Sequence, residues 1–589
     1  MRAVLGRLGL ALLGLAAGAL CLVAAEGLLA ALGAGGGPPG YDPFAGFSAA
    51  VPLFEPARGA ETGEALLRVS PARLAAGAPG ALAAQGRSFR ARKPAGGFRV
   101  FVVGGSAAAG FPHGAELSFS GWLERRLTAA LPGLPIEVVN AAVAGYSSRR
   151  VLVAAREIAG YEPDLVVVYS GHNEWAERRY YSRLIEMDPR LFRLRERLIG
   201  TRLFRVLSHG LPARPRVSPE AALERYLAEE QEEFREMFGV FSERAGGSRY
   251  ATAEELAQRD ALYRINLEEI VRSARGAGAK VALLTLSQNL SDWWPGASAH
   301  RPDLSAEERG RWQALVDRGR EAAAAGDCAA ALARFAEALA IDAGHAELHF
   351  RVARCQHARG ELVGARAHYR RASDLDQVPH GAPTRFNDLL RELAAERDLL
   401  LVDVEALLER ASGDRLVGDD LFIEFAHLNP RAHQLVAAAL AAALREAGIP
   451  RPAPLWREGG YQDPPVEALY AADPEMRVRE HESIRFVCAV ARRLDCVREQ
   501  EEALRRLREP PPAGGEPGAP RQSRLTPERR AATGARRRPA RRRRAPAARG
   551  HPDPATSRRT RRNPRPRTRA GSSRATRPGS RSAAAGSGR

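Results

Sequence analysis

Residues 98–110 read FRVFVVGGSAAAG, an apolar run that ends in two glycines and a serine. A continuous apolar run is typical of a strand that is buried on both faces of a parallel sheet. The glycines and small residues allow a sharp turn into a helix. That turn would leave Ser106 at the carboxyl edge of the sheet, where ligands bind in open α/β folds. The stretch therefore predicts an α/β domain with a functional serine after its first strand.

Four more apolar runs of this kind follow along the chain, with helical patterns between them. They lie at 136–139, 164–169, 280–286 and 399–403. Strands that alternate with helices predict a parallel sheet. Two long stretches interrupt the alternation, so we expect an α/β domain that carries two insertions.

Glycine-rich motifs of other protein classes do not fit the first strand. A phosphate-binding loop needs Lys and Ser/Thr where Phe111 and Pro112 stand. The dinucleotide spacing is absent, and the second strand ends in Asn140 rather than in an acid. The G-x-S-x-G turn of another hydrolase class is also absent, because Ala108 occupies its last glycine position. No Cys or His cluster has the spacing of a metal site, and we expect no cofactor.

Small and polar residues that suit acyl chemistry follow the other strands. Gly145 comes after the second strand, and Asn173 closes a Gly-x-Asn sequence after the third. His427 lies three residues after Glu424, so the two side chains can meet within one turn. A serine attacks poorly without a base beside it, and the resulting oxyanion needs fixed hydrogen-bond donors.

These ordered blocks resemble the SGNH (GDSL-like) hydrolase superfamily. The sequence GHNEW at 171–175 resembles a membrane-anchored bacterial branch that carries tetratricopeptide repeats. The resemblance covers roughly 98–178, 266–300 and 381–447. It implies a flavodoxin-like, three-layer α/β domain that works as a serine esterase.

The resemblance also implies a role for each residue. Ser106 would be the nucleophile, and its N–H would form the oxyanion hole with the N–H of Gly145 and the side chain of Asn173. His427 would take the proton from Ser106 and return it to the leaving alcohol. An acid three residues upstream, Glu424, would orient His427.

Two positions depart from the family pattern. The Asp that usually precedes the serine is Gly105, and the Asp of the usual Asp-x-x-His block is Glu424. Asp419 and Asp420 lie nearby as alternative acids. We interpret His172 as lining the pocket.

Three other residues lie close in sequence to the predicted site blocks. Glu174 is interpreted as an acid at a helix start. Trp293 and Trp294 either wall an acyl or sugar pocket or pack against the repeats.

The second insertion contains an internal repeat with a period of 34 residues. The equivalent pairs are Gly326 and Gly360, Ala331 and Ala365, Phe335 and Tyr369, Ala338 and Ala372, and Asp342 and Asp376. The pattern resembles two tetratricopeptide repeats over 312–378. A protein partner on the repeats and a role as a structural spacer both stay open.

The N-terminus reads as a transmembrane segment. Residues 8–25 carry no charge, and Arg2 and Arg7 precede them. This predicts a single spanning helix with a cytoplasmic N-terminus, and a cleaved signal peptide is the alternative. In both cases the catalytic domain would lie outside the cytoplasm.

The net charge of +19 is concentrated at the C-terminus. Residues 521–589 hold 23 Arg against two acids, so the remainder has a net charge of −2. The charge of the folded part therefore gives no reason to expect specific nucleic-acid binding. The tail lacks large apolar residues and is predicted to be disordered, with a shifted reading frame as an alternative.

The predicted organisation follows the order of the chain. Its regions are an N-terminal transmembrane anchor (1–33), a linker (34–97), the first part of the hydrolase domain (98–178), a helical insertion (179–265), the middle part of the hydrolase domain (266–300), two tetratricopeptide repeats (312–378), the last part of the hydrolase domain (381–447), a C-terminal helical region (450–508) and a disordered Arg/Pro-rich tail (509–589).

The sequence as a whole predicts an exported, membrane-anchored serine esterase. Its expected substrate is an O-acyl ester on a glycan or lipid. An O-acyltransferase that uses the same acyl-enzyme and an inactive scaffold that binds partners through the repeats are the alternatives.

Overall fold

The computed structural model describes residues 2–34, 52–59, 63–70, 88–174, 188–198, 201–209, 253–377, 381–413, 415–490 and 493–508. The tail predicted to be disordered, 509–589, lies outside these ranges. So do parts of the predicted linker and most of the first insertion.

The described strands form two separate sheets. They are β1 (Phe54–Arg58), β2 (Ala65–Val69), β3 (Ser88–Arg90), β4 (Phe98–Gly104), β5 (Ile136–Asn140), β6 (Leu165–Tyr169), β7 (Lys280–Leu284) and β8 (Leu400–Val402). The described helices are α1 (Arg2–Ala31), α2 (Ser106–Ala109), α3 (Phe119–Ala130), α4 (Ser148–Ile158), α5 (Pro189–Leu198), α6 (Arg202–His209), α7 (Ala253–Gly276), α8 (Ala306–Ala324), α9 (Cys328–Ile341), α10 (Ala346–Ala358), α11 (Leu362–Asp374), α12 (Thr384–Arg397), α13 (Val404–Ala411), α14 (Pro430–Glu446), α15 (Val466–Ala472), α16 (Glu475–Val490) and α17 (Leu494–Arg508).

The larger sheet has five parallel strands in the order β5-β4-β6-β7-β8. Every residue of the neighbouring strands β4 and β6 is buried, which explains their continuous apolar sequence. Helix α3 packs against α14, and α7 packs against α4 and α12. The predicted α/β fold is confirmed, and the strand order is that of the flavodoxin-like type.

The smaller sheet corrects the prediction of a linker with little regular structure at 34–97. Strands β1, β2 and β3 pair antiparallel within that stretch. Phe54 of β1 packs edge-on against Phe89 of β3, at 5.0 Å between ring centroids, and against Tyr161 at 5.8 Å. The amides of Leu53 and Phe54 donate to the carboxylate of Glu157 in α4, at 2.7 and 3.0 Å. The stretch is rich in Gly, Pro and Ala, which do not favour strands. The strands form nevertheless, because tertiary contacts stabilise them.

The described parts of the first insertion are helical, as predicted. They comprise α5, α6 and the start of α7. Glu26 of α1 accepts hydrogen bonds from the first two amides of α6, on Arg202 and Leu203, at 2.6 and 2.8 Å. A carboxylate at a helix N-terminus satisfies amides that have no partner within the helix.

The second insertion forms two pairs of packed helices, α8 with α9 and α10 with α11. Gly326 and Gly360 occupy the turn within each pair, with φ of +83° and +76°, a region that favours glycine. Equivalent apolar positions are buried in both pairs: Ala331 and Ala365, Phe335 and Tyr369, and Ala338 and Ala372. The 34-residue spacing therefore corresponds to equivalent places in two hairpins. Their assignment as tetratricopeptide repeats stays a prediction.

The segment predicted to span a membrane is part of helix α1. Within the described ranges, however, no helix is long and apolar enough to cross a bilayer. The transmembrane anchor stays a prediction.

The predicted C-terminal helical region contains α15, α16 and α17. A disulfide between Cys488 and Cys496 joins α16 to α17. The sequence analysis did not predict this bond, because the stretch read as helical throughout. Cys328 and Cys355 in the second insertion are free thiols.

Candidate active site

Ser106 is the first residue of α2 and directly follows β4 and Gly105. The chain passes very close to β6 here, because a Cβ on Gly104 would lie 2.1 Å from the carbonyl oxygen of Tyr169. Asn140 stabilises this turn, since its Nδ2 donates a hydrogen bond to the carbonyl of Ala108 at 3.0 Å. This packing fixes Ser106 at the carboxyl edge of the sheet, as the sequence predicts.

A chain of hydrogen bonds connects Ser106, His427 and Glu424. The Nε2 of His427 lies 2.6 Å from the Oγ of Ser106. The Nδ1 of His427 is hydrogen-bonded to Oε1 of Glu424, a fully buried carboxylate whose Oε2 accepts the amide of Phe425 at 2.7 Å. A carboxylate that accepts a hydrogen bond from Nδ1 requires the ring proton to be on that nitrogen. Nε2 then has a free lone pair, which can accept a hydrogen bond from the hydroxyl of Ser106.

The two alternative acids are engaged elsewhere. Asp419 accepts a hydrogen bond from Nδ2 of Asn289 at 2.8 Å. Asp420 accepts the amide of Gly418 at 3.1 Å. The structure therefore places Glu424, rather than either aspartate, beside the imidazole of His427.

Asn173 connects the loops that follow β4, β5 and β6 at this edge of the sheet. Its Nδ2 donates to the carbonyl of Tyr146 at 3.1 Å, next to Gly145. A Cβ on Gly105 would lie only 2.6 Å from the same Nδ2. The predicted oxyanion residues are thus brought together. Gly105 and Asn173 are packed directly against each other in this chain, so a side chain at 105 would require a shift of the Asn173 amide.

Gly145 itself sits in the turn after β5. Its φ is +78°, in the left-handed region that favours glycine. A glycine here lets the loop bend towards Asn173 without strain.

Two buried histidines surround the site, and both have a lowered pKa. Burial lowers the pKa of His172 to about 3, and the nearby His427 lowers it further. Burial likewise lowers the pKa of His433 to about 3, with His113 and His427 contributing. Each Nδ1 accepts a backbone amide, from Ala382 to His172 at 3.2 Å and from Phe119 to His433 at 3.1 Å. Both rings are therefore neutral near pH 7 and add no positive charge beside His427.

Aromatic rings lie beside the imidazole of His427. The ring of Phe111 is 4.7 Å from it and that of Phe425 is 5.7 Å from it, between centroids. Trp293 contacts Phe425 at 6.1 Å, whereas Trp294 packs at 4.4 Å on Phe350 of α10. Of the two interpretations offered for the tryptophans, packing against the second insertion describes Trp294. Neither phenylalanine could be predicted from the sequence, because a packing contact has no spacing signature.

Glu174 lies at a helix start, although the helix is α4 rather than one that begins at Glu174. Its carboxylate accepts the amide of Ser148 at 2.7 Å and the hydroxyl of the same residue at 2.8 Å. The side chain therefore stabilises the N-terminus of α4 just behind the oxyanion loop.

Among the residues that the structure describes, no group of three or more His, Cys, Asp or Glu is arranged to hold a metal ion. The chemistry at this edge of the sheet consists instead of a hydroxyl, an imidazole and a buried carboxylate in hydrogen-bonded order. A hydroxyl, an imidazole and a carboxylate in this order form the arrangement of serine hydrolases.

The comparison with protein families agrees with this class. Residues 102–353 match the GDSL-like Lipase/Acylhydrolase family. No curated protein matches the chain.

Solved structures similar to the chain include an acetylxylan esterase and a GDSL-like lipase. An acetylxylan esterase from Geobacillus stearothermophilus is 11% identical, with a TM-score of 0.27, and the match covers 60% of this chain and 96% of that one. A GDSL-like lipase from Bacteroides thetaiotaomicron VPI-5482 is 9% identical, with a TM-score of 0.24, and the match covers 59% and 88%.

Proposed function

We propose that the protein is a serine esterase in which Ser106, His427 and Glu424 form the catalytic triad and the substrate is an O-acyl ester on a glycan or lipid. The observation that carries this proposal is the hydrogen-bonded chain from Ser106 Oγ through His427 to Glu424.

The first half of the reaction forms an acyl-enzyme. Ser106 Oγ attacks the ester carbonyl carbon as its proton moves to Nε2 of His427. Glu424 stabilises the imidazolium without taking its proton. When the tetrahedral intermediate collapses, the C–O bond to the alcohol breaks and His427 returns the proton to the departing oxygen. Water then hydrolyses the acyl-enzyme by the same two proton transfers.

The oxyanion is held by fixed donors. The amide side chain of Asn173 has two N–H groups, and one of them is bound to Tyr146. The other, together with the backbone N–H groups of Ser106 and Gly145, would bind the developing negative charge. A single such donor contributes about 10²–10³ in rate.

The proposal includes an extracytoplasmic location. The disulfide between Cys488 and Cys496 supports it, since such bonds persist in oxidising compartments. Arg2 and Arg7 before an apolar run support the same location. Attachment to a membrane stays a prediction, and a cytoplasm-specific reporter fused after Pro450 should be silent.

The test of function uses the full chain. A fluorophosphonate probe should label the protein at Ser106, and the protein should hydrolyse 4-nitrophenyl acetate. Ser106→Ala should abolish both. Hydrolysis that survives in Ser106→Ala would reject Ser106 as nucleophile. Acetylated oligosaccharides and short-chain glycerides, each assayed with and without an acceptor sugar, would then identify the natural ester and detect any acyl transfer.

A further inference from the structure

The C-terminal helical region contacts His113 and Trp293, two residues that lie next to the aromatic rings beside the imidazole of His427. We call residues 466–508, which comprise α15, α16 and α17, the C-terminal clamp. None of its residues belongs to the strand-end blocks that form the site. The clamp reaches the catalytic histidine through two short chains of contacts.

The first chain of contacts reaches Phe111. Two residues after Phe111, the Nε2 of His113 lies 2.9 Å from Oε1 of Glu480 in α16. The hydroxyl of Tyr470 in α15 donates to the same oxygen at 2.7 Å. The His113 side chain is almost fully buried, so this hydrogen bond is shielded from water. Glu480 therefore ties the loop that carries Phe111 to the clamp.

The second chain of contacts reaches Phe425. The guanidinium of Arg493 lies over the ring of Trp293, 4.9 Å from its centroid. Trp293 in turn contacts Phe425, which lies beside His427. A cation over an indole face is a favourable arrangement, and Trp is the best aromatic partner.

The disulfide connects these two contacts. Arg493 lies between Cys488 and Cys496, and its amide donates to the carbonyl of Cys488 at 2.8 Å. Cys488 is fully buried in the same helix as Glu480. The covalent bond therefore fixes the position of Arg493 relative to Glu480, and with it the spacing of the two contacts on the catalytic site.

We infer that Glu480 and Arg493 of the C-terminal clamp are positioning residues of the esterase that hold Phe111 and Phe425 against His427, and that the Cys488–Cys496 disulfide maintains this arrangement. The inference rests on the proposed function, since it concerns the geometry of the same triad. The rings restrict the imidazole to the plane in which it meets both Ser106 and Glu424. A shift of about 1 Å in a catalytic group lowers the rate by up to about 10²-fold.

The first test compares variants of two glutamates in one helix. Glu480→Ala should lower kcat for 4-nitrophenyl acetate by about 10–10²-fold with little change in KM, because the imidazole moves but the acyl pocket does not. Glu480→Gln keeps an oxygen that can accept from Tyr470 and His113, so it should recover most of the rate. Glu482→Ala, which removes a surface ion pair with Arg508, is the matched control and should match the wild type.

The second test removes the covalent connection. The double variant Cys488→Ala, Cys496→Ala should lower kcat by about tenfold, which is smaller than the effect of Glu480→Ala because non-covalent packing remains. The double variant Cys328→Ala, Cys355→Ala, which changes the free thiols of the second insertion, should leave kcat unchanged. Equal kcat in both double variants would overturn the role of the disulfide.

The rate of fluorophosphonate labelling separates failure of the inference from failure of the function. Labelling reports activation of Ser106 by His427 and needs no substrate. In Glu480→Ala and Arg493→Met, labelling should slow by the same factor as kcat. Wild-type labelling rates in both variants would overturn the inference and leave the esterase proposal intact. A wild-type protein that neither labels nor hydrolyses esters would overturn the function itself.

Discussion

The carboxyl edge of the parallel sheet and the C-terminal clamp meet at the same histidine, yet they contact it in different ways. At the sheet edge, Ser106 donates a hydrogen bond to Nε2 of His427, and Nδ1 of His427 donates one to Glu424. The C-terminal clamp instead contacts His113 and Trp293 through Glu480 and Arg493, and these contacts support the aromatic rings beside His427. Hydrogen-bonding chemistry demands particular residue types at particular spacings, whereas packing accepts many residue types at many spacings. For this reason the first region can be read from the sequence and the second cannot.

The largest expected effect falls on the sheet edge. Ser106→Ala and His427→Ala should each lower kcat/KM for a small aryl ester by about 10³–10⁶-fold, since nucleophile and base act as one unit. Steady-state kinetics of the purified full chain measures this. The double variant should be no slower than either single variant. A further drop in the double variant would show that the two residues act independently.

Glu424 should have a smaller and more informative effect. Glu424→Gln should lower kcat by about 10–10⁴-fold, because Gln cannot stabilise the imidazolium as a carboxylate does. Glu424→Asp restores the family residue but shortens the side chain, and should lower kcat because the loop is built for Glu. Equal rates for Glu, Asp and Gln would show that Glu424 is not the triad acid. Asp419 and Asp420 would then be tested in the same way.

Gly105 tests how tightly the oxyanion loops are packed. Gly105→Ala places a Cβ 2.6 Å from the Nδ2 of Asn173 and should displace that donor. We expect kcat to fall by about 10–10³-fold, up to the contribution of one oxyanion donor. Gly310→Ala, where the added Cβ meets no atom within 4 Å, is the control and should retain full activity. Wild-type kcat in Gly105→Ala would mean that Asn173 does not bind the oxyanion.

The two buried histidines make stability depend on pH. The pKa of His172 and of His433 is about 3 in the folded protein, against an ordinary value of 6.5. Because the folded pKa is the lower one, the unfolded chain binds more protons below about pH 6.5, and stability is lost as pH falls from there towards 3. One pKa unit corresponds to about 1.4 kcal/mol, so the melting temperature should drop steeply between about pH 6 and pH 4. His433→Gln should flatten this dependence, and an unchanged pH profile would contradict the burial of a neutral ring.

The smallest expected effect belongs to the C-terminal tail. Truncation after Arg508 removes a stretch that carries none of the proposed catalytic or clamp residues. Melting temperature and kcat should both stay nearly unchanged. A large loss of either would show that the tail contributes to the fold or to the site, and would extend the comparison to a third region.

Much of the site could be predicted because the ends of β4, β5 and β6 each carry one residue type that acyl chemistry needs. Parallel strands bring Ser106 and Asn173 to one edge, and the three-residue spacing from His427 favoured Glu424 as the acid. The antiparallel sheet at β1–β3 could not be predicted, since Phe54 gains its partners only when the chain packs against α4. The same holds for Glu480, whose role depends on a contact with a residue 367 positions earlier in the chain.

Both insertions leave the parallel sheet from the edge that carries the site. The first begins beyond Glu174, after β6, and returns through α7, whereas the second lies between β7 and α12. Helices added there change no strand pairing, so their length and content are free to vary during evolution. A lineage could exchange whole helical modules beside Ser106 by recombination and so present the same acyl chemistry to different molecules. The same property makes this edge a natural place for engineers to graft new recognition elements.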